Sequence, residues 1–241
     1  MPGLLHEVAA SFRDAGVDLG ALGLAWARVL PTVTIVPAFG LRALPLPARG
    51  VIGLALAVCI FPAVAPAPAS APWAVLLVGE VVRGLPVAIS AAAVLWAATM
   101  VGGMLDNLRA SQDSVDVPVI DGRTTPMAVP FALLAGAIFL KTGGPARVAH
   151  ALAASSLPDH PILRAANDLT SGVALAVSIG APLLAASLVI EVTGAVIARA
   201  SAPAQIHALL APMRTMGLLL VCGVVFDRIA ALLAVAVRQV P

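Results

Sequence analysis

The length of its apolar runs limits this chain more than any other feature. From Trp73 to about Leu105 the sequence stays apolar for 33 residues, with only Glu80 and Arg83 charged. At about 1.5 Å per residue such a helix would reach roughly 50 Å, well past the roughly 30 Å hydrocarbon core of a bilayer. Six segments are of spanning length or nearly so: Leu19 to about Phe39, Val51 to Val64, Trp73 to Leu105, Met127 to Leu140, about Leu163 to Ala198, and about Gln205 to Val237. The last two are again too long for a simple span. Pro31, Pro37 and Pro86 interrupt the first and third segments. The stretch APAPASAP after Val64 cannot continue a helix, and Gly143-Gly144-Pro145 breaks the chain after the fourth segment. Nothing alternates convincingly at period two, so the expected class is all-α, with long membrane-type helices and helical hairpins that are kinked or broken.

Composition decides what surrounds those helices. The chain is 61% hydrophobic and 11% charged, against about 25% charged residues in soluble domains. A soluble fold of this length has too few polar groups to face water, so lipid or protein partners must cover the remainder. The net charge of +2 is small and spread along the chain. Basic runs with interleaved aromatics are absent, so no nucleic-acid surface is expected. Cys59 and Cys222 lie within apolar segments and read as small fillers rather than a disulfide or metal pair. The first 18 residues carry Glu7, Arg13, Asp14 and Asp18, which break any signal-peptide core. Leu4, Leu5, Val8 and Phe12 fall at helical spacing there, which suits a short amphipathic or capping helix.

One polar strip interrupts this pattern. Asp106 to Pro126, DNLRASQDSVDVPVIDGRTTP, holds Asp106, Asp113, Asp116 and Asp121 with Arg109 and Arg123. It is either a loop thrown out of a membrane or one tucked into a watery space inside an assembly. The sidedness of the basic residues bears on that choice. With six spans, Arg13, Lys141, Arg147, Arg164, Arg228 and Arg238 fall on one side and Arg42, Arg49, Arg109, Arg123, Arg199 and Arg214 on the other, while Arg28 and Arg83 fall inside spans. Inner-membrane proteins normally show a clear cytoplasmic excess. Either a boundary is misplaced or a segment is re-entrant, or the chain does not end in an ordinary bilayer topology.

Charges inside the apolar segments are few. Glu80 and Arg83 share a helix face at i, i+3, Glu191 lies in the fifth segment, and Arg214, Asp227 and Arg228 lie in the sixth. Ionisable groups in lipid face a partner or a watery cavity. A transporter is expected to gather acids near mid-span beside broken helices. Here they lie toward segment ends and Glu80 has Arg83 in reach, which favours structural or interfacial pairing over an ion relay. Catalysis finds no foothold. His6, His150, His160 and His207 are scattered, there is no G-x-S-x-G, and Leu140 precedes Lys141-Thr142 where a phosphate loop needs Gly. No catalytic residue, metal site or cofactor is expected.

Several stretches resemble the export-gate proteins of type III secretion systems, the FliR family of flagella and SctT family of injectisomes. They are Arg28-Val29-Leu30-Pro31 with VPAFGLRALPLPARGVIGLALAV (36–58), GEVVRGLPVAISAAAVLWAATMVGGMLDNLRASQDS (79–114), LLAGAIFLKTGGPARVAHALAAS (133–155) and APLLAASLVIEVTGAVIARASAPAQIHALLAPMR (181–214). They occur in the family's order and cover nearly the whole chain. Two departures stand out: Pro203-Ala204-Gln205 followed by His207 where the family turn reads Pro-Gln and then Asn, and Ala110 where a Gly follows the loop's Arg. The resemblance implies a single export-gate domain, with a P/R-like portion (1–162) fused to a Q/S-like hairpin (163–241). It implies a hetero-oligomer with P/R-type and Q/S-type subunits and contact with the large export-gate and switch-type membrane components. It also implies unfolded proteins in transit, and a cone at the periplasmic side of the inner membrane. The compact length leans toward an injectisome over a flagellum. The polar loop would plug the channel, a role that falls on Asp106, Asn107, Arg109, Ser111, Gln112, Asp113, Ser114 and Asp116. Arg28, Glu80, Arg83, Glu191, Arg199 and Arg214 would be buried or interfacial charges. The competing expectation is a stand-alone carrier or channel that uses Glu80, Arg83, Glu191 and Asp227.

Overall fold

The computed structural model describes residues 11, 14, 16, 18–39, 45–64, 72–110, 113–116, 123–155, 160–201 and 207–239. The suggested N-terminal helix, Ser111, Gln112, Asp121 and the turn at 203–205 lie outside them. Seven helices follow in order: α1 (Leu19–Ile35), α2 (Leu46–Ile60, running into a 3-10 turn at Phe61–Ala63), α3 (Trp73–Leu108), α4 (Ala128–Lys141), α5 (Gly144–Ala154), α6 (Pro161–Ala200) and α7 (His207–Gln239). The all-α architecture with long apolar helices is as expected from the sequence. The exception is a two-residue ladder, β1 (Val115–Asp116) with β2 (Arg123–Thr124), too short to leave a period-two signature.

Local chemistry sets most helix ends. The Asp18 carboxylate accepts the Gly20 N–H at 2.8 Å and starts α1, as an N-cap does for an otherwise unpaired amide. Pro37 does not interrupt α1, which stops before it, whereas Pro31 lies within the helix. There a proline removes one backbone hydrogen bond, and the nearby Thr34 hydroxyl donates to the Leu30 carbonyl at 2.9 Å. Pro86, Pro182 and Pro212 similarly lie inside α3, α6 and α7. Between α4 and α5, Gly143 takes φ +74, the left-handed conformation that lets one helix stop and the next begin.

The described chain forms two compact units, one from residues up to Ala92 with 143–169 and one from 93–142 with 170–239. In the first, α1 packs on α2 and α2 on α5, and Leu24, Ala25, Val29, Val36, Ala57, Ile60, Val148 and Leu152 are buried. In the second, α4 packs on α7, with Val101, Leu105, Phe131, Phe139, Ile179, Leu183, Leu218, Ile229 and Leu233 buried. Small residues permit close helix approach. A Cβ on Gly84 would overlap the Arg28 carbonyl, and one on Gly172 would lie 2.9 Å from the Ala93 side chain.

Three helices are long and apolar enough to cross a membrane, or four if α4 and α5 count as one bent span. Only 28% of the spanning window of α6 and 22% of that of α7 is buried within the chain. On α6 the buried positions Ala165, Ala176, Ile179, Leu183 and Ser187 form one narrow seam, while Val173, Val177, Leu184, Leu188, Val192 and Val196 face outward. A helix that is apolar all round but buried along one stripe needs lipid or protein over the rest.

Candidate functional site: the root of the polar strip and three charge clusters

The polar strip is tied down where it leaves the helices. Helix α3 runs through Leu108, so Asp106 and Asn107 belong to its last turn rather than to a loop. Asn107 is exposed, but Asp106 is fully buried. Its Oδ2 accepts the Met127 N–H at 2.6 Å, and its Oδ1 lies 3.0 Å from an Arg109 guanidinium nitrogen. Met127 is the residue before α4 and has no cap of its own. The Asp106 carboxylate therefore serves α4 as a cap borrowed from α3, and its charge opposes the positive end of that helix. The approach is close because residue 102, one turn back, is Gly. A Cβ there would lie 2.7 Å from the Ala128 nitrogen.

Beyond this root the strip turns sharply. Ala110 has φ +57, and its N–H donates to the Asn107 carbonyl at 3.0 Å. This is the position where the family carries Gly, and the left-handed backbone explains why: it costs a residue with a Cβ about 1–2 kcal/mol. The strip then forms the ladder, Val115 opposite Thr124 and Asp116 opposite Arg123. Asp113, Ser114 and Val115 are exposed. The strip is thus an arm whose two ends meet at Asp106–Met127 and whose strands meet again at the ladder.

The second cluster lies in the first unit. Arg28 is 3% exposed and Glu80 7%. The Arg28 Nε donates to Glu80 Oε2 at 2.6 Å, and an Arg83 nitrogen donates to Glu80 Oε1 at 2.6 Å. Arg28 also donates to the Leu152 carbonyl at 3.1 Å, near the end of α5, where terminal carbonyls lack helical partners and a cation suits the dipole. The i, i+3 pairing of Glu80 with Arg83 is readable from spacing. The Arg28 partnership crosses 52 residues and the Leu152 contact 124, and neither leaves a local signal.

The third cluster joins the two long helices of the second unit: Glu191 on α6 pairs with Arg214 on α7. It sits in a cleft of about 460 Å³ lined by Val189, Ile190, Ile197, Leu210 and Met213 among others. Arg199 and Asp227 are exposed, Arg199 in the last turn of α6. No group of three His, Cys, Asp or Glu positioned for a metal ion occurs among the described residues.

These features (a rooted polar arm, paired charges in apolar helices, helices with uncovered apolar flanks) describe a part of a larger membrane assembly. The sequence profile of the family described as bacterial export proteins, family 1, matches residues 19–240. The chain belongs to that family. It is the FliR/SctT/SpaR family of type III secretion and flagellar export. As a family member the chain is a subunit of a bacterial export apparatus and a membrane protein of protein transport. A comparison with curated proteins returned no match.

Proposed function

We propose that this export protein is the core gate subunit that closes the channel for unfolded substrates, with the arm from residue 107 to 121 acting as the plug. The rooted arm is the observation that carries this reading. A polar segment with Asp113 and Ser114 exposed tolerates a wet lumen. Its root at Asp106 and Met127 holds both ends where α3 and α4 meet, so displacing the arm need not unravel the helices. A segment with few apolar anchors opens at modest cost, as a gate requires.

The exposed apolar flanks of α6 and α7 support burial against P/R-type and Q/S-type subunits, residues 1–162 being the P/R-like portion and 163–241 the Q/S-like hairpin. The assembled complex would lie at the periplasmic side of the inner membrane and exchange substrates with the large export-gate and switch-type components. The ion pairs favour this gate over a carrier: Glu80, Asp106 and Glu191 each have an Arg partner, whereas a carrier needs acids that bind and release its ion.

Cross-linking during export tests the plug. A photo-reactive group at Asp113 or Ser114 is expected to capture the arm's channel neighbours at rest and an arrested substrate during transit. Capture of neither, with the substrate demonstrably held in the channel, would contradict the assignment.

A further inference from the structure

The Arg28–Glu80–Arg83 cluster does not balance. Glu80 is the only acid on α1, α2, α5 and residues 73–92 of α3, and it serves two guanidinium groups. The further contact of Arg28 is the neutral Leu152 carbonyl. One positive charge is left over among apolar helices, where an uncompensated charge is costly. The opening lies at Arg83. Its side chain is 39% exposed, whereas that of Arg28 is 4% exposed. The Arg83 Nε has no acceptor among the described residues. Beside it on α3, Val75 and Val78 are 64% and 63% exposed, and with half-buried Val82 they form a stripe at i, i+3, i+7.

We infer that Arg83 is a docking point for a carboxylate carried on an apolar helix of a partner subunit, which lies along the Val75–Val78–Val82 stripe. This rests on the gate reading above, since it needs an assembly. A guanidinium with free donors takes a carboxylate or a phosphate equally well. Position favours the carboxylate. Arg83 is ten residues beyond Trp73, about 15 Å along the helix, which is about half the hydrocarbon thickness. Lipid phosphates sit at the interface, out of reach at that depth. A side chain on a neighbouring helix can stand opposite Arg83 and bring the cluster to two cations and two anions.

The test uses the full complex, co-expressed with the P/R-type and Q/S-type subunits. Arg83→Gln leaves Arg28 and Glu80 as a neutral pair, so the chain is expected to insert and fold while recovery of complex falls at least tenfold. Arg83→Lys should retain most of the assembly. It also supplies an amine that a carbodiimide can join to a touching carboxylate as an amide, with the carbodiimide converted to its urea. Mass spectrometry of that product is expected to show a peptide from another subunit. Full recovery of the R83Q complex, or R83K coupling only to Glu80 of its own chain, overturns the inference. So does a wild-type complex that falls apart on delipidation and is restored by an anionic phospholipid while R83Q does not respond to that lipid, since this identifies a phosphate as the anion. If the wild-type chain itself does not co-purify with such subunits, the gate reading fails as well. Wild-type co-purification with an unaffected R83Q removes the docking point alone.

Discussion

At the scale of single residues, the arm's root concentrates the chemistry. Asp106 is buried with an amide and a guanidinium as its partners. Hydrogen bonds to a charged group contribute about 1.5–3 kcal/mol, so Asp106→Ala is expected to destabilise the assembled complex by roughly that amount. Asp106→Asn should recover part of the loss, because an amide oxygen can still accept the Met127 N–H. Thermal unfolding of the two variants side by side checks this, and equal losses would show that the Arg109 ion pair outweighs the borrowed cap. Ala110 gives a prediction of opposite sign. With φ at +57, Ala110→Gly relieves a backbone that L residues avoid and should stabilise the end of α3 by about 1 kcal/mol. Hydrogen exchange at residues 107–110 should slow about fivefold, since 1 kcal/mol is about that factor.

At the scale of elements, close packing depends on where small residues fall. Gly84 and Gly79 lie on the same helix, but only Gly84 meets another backbone, the Arg28 carbonyl of α1. Gly84→Ala should force α1 and α3 apart and disturb the Arg28–Glu80 pair, reducing the yield of folded chain severalfold. Gly79→Ala, with open space around it, should be neutral or stabilising by up to about 1 kcal/mol. Expression and thermal stability of the two variants make the comparison. Elements of this kind are partly legible beforehand. Apolar length and the Gly143–Pro145 break mark α3 to α7 to within a few residues, because helices in an apolar setting end where proline, glycine or charge ends them. What cannot be read is pairing across distance. Glu80 is legible beside Arg83 but not beside Arg28, Asp106 looks like part of a polar loop but is buried as a cap, and Glu191 and Arg214 show no sign of each other. Local spacing carries no information about contacts made only when separate helices meet.

At the scale of the whole molecule, the question is what covers the outward sides of α6 and α7. Leu188, Val192 and Val196 are 62%, 56% and 62% exposed, and lipid or sister subunits can hide them equally well by hydrophobicity alone. A polar side chain tells these apart. Leu188→Asn on a partner-covered face should lower recovery of the complex while the chain still inserts, and a lipid-facing position would leave recovery unchanged. The central claim concerns the arm, and the electrical conductance of the resting complex after removal of residues 110–120 tests it most directly. With Asp106 and Met127 kept, assembly is expected to survive and the closed channel to leak small ions steadily. An intact complex whose resting conductance matches that of the full-length protein would show that something other than this arm closes the channel.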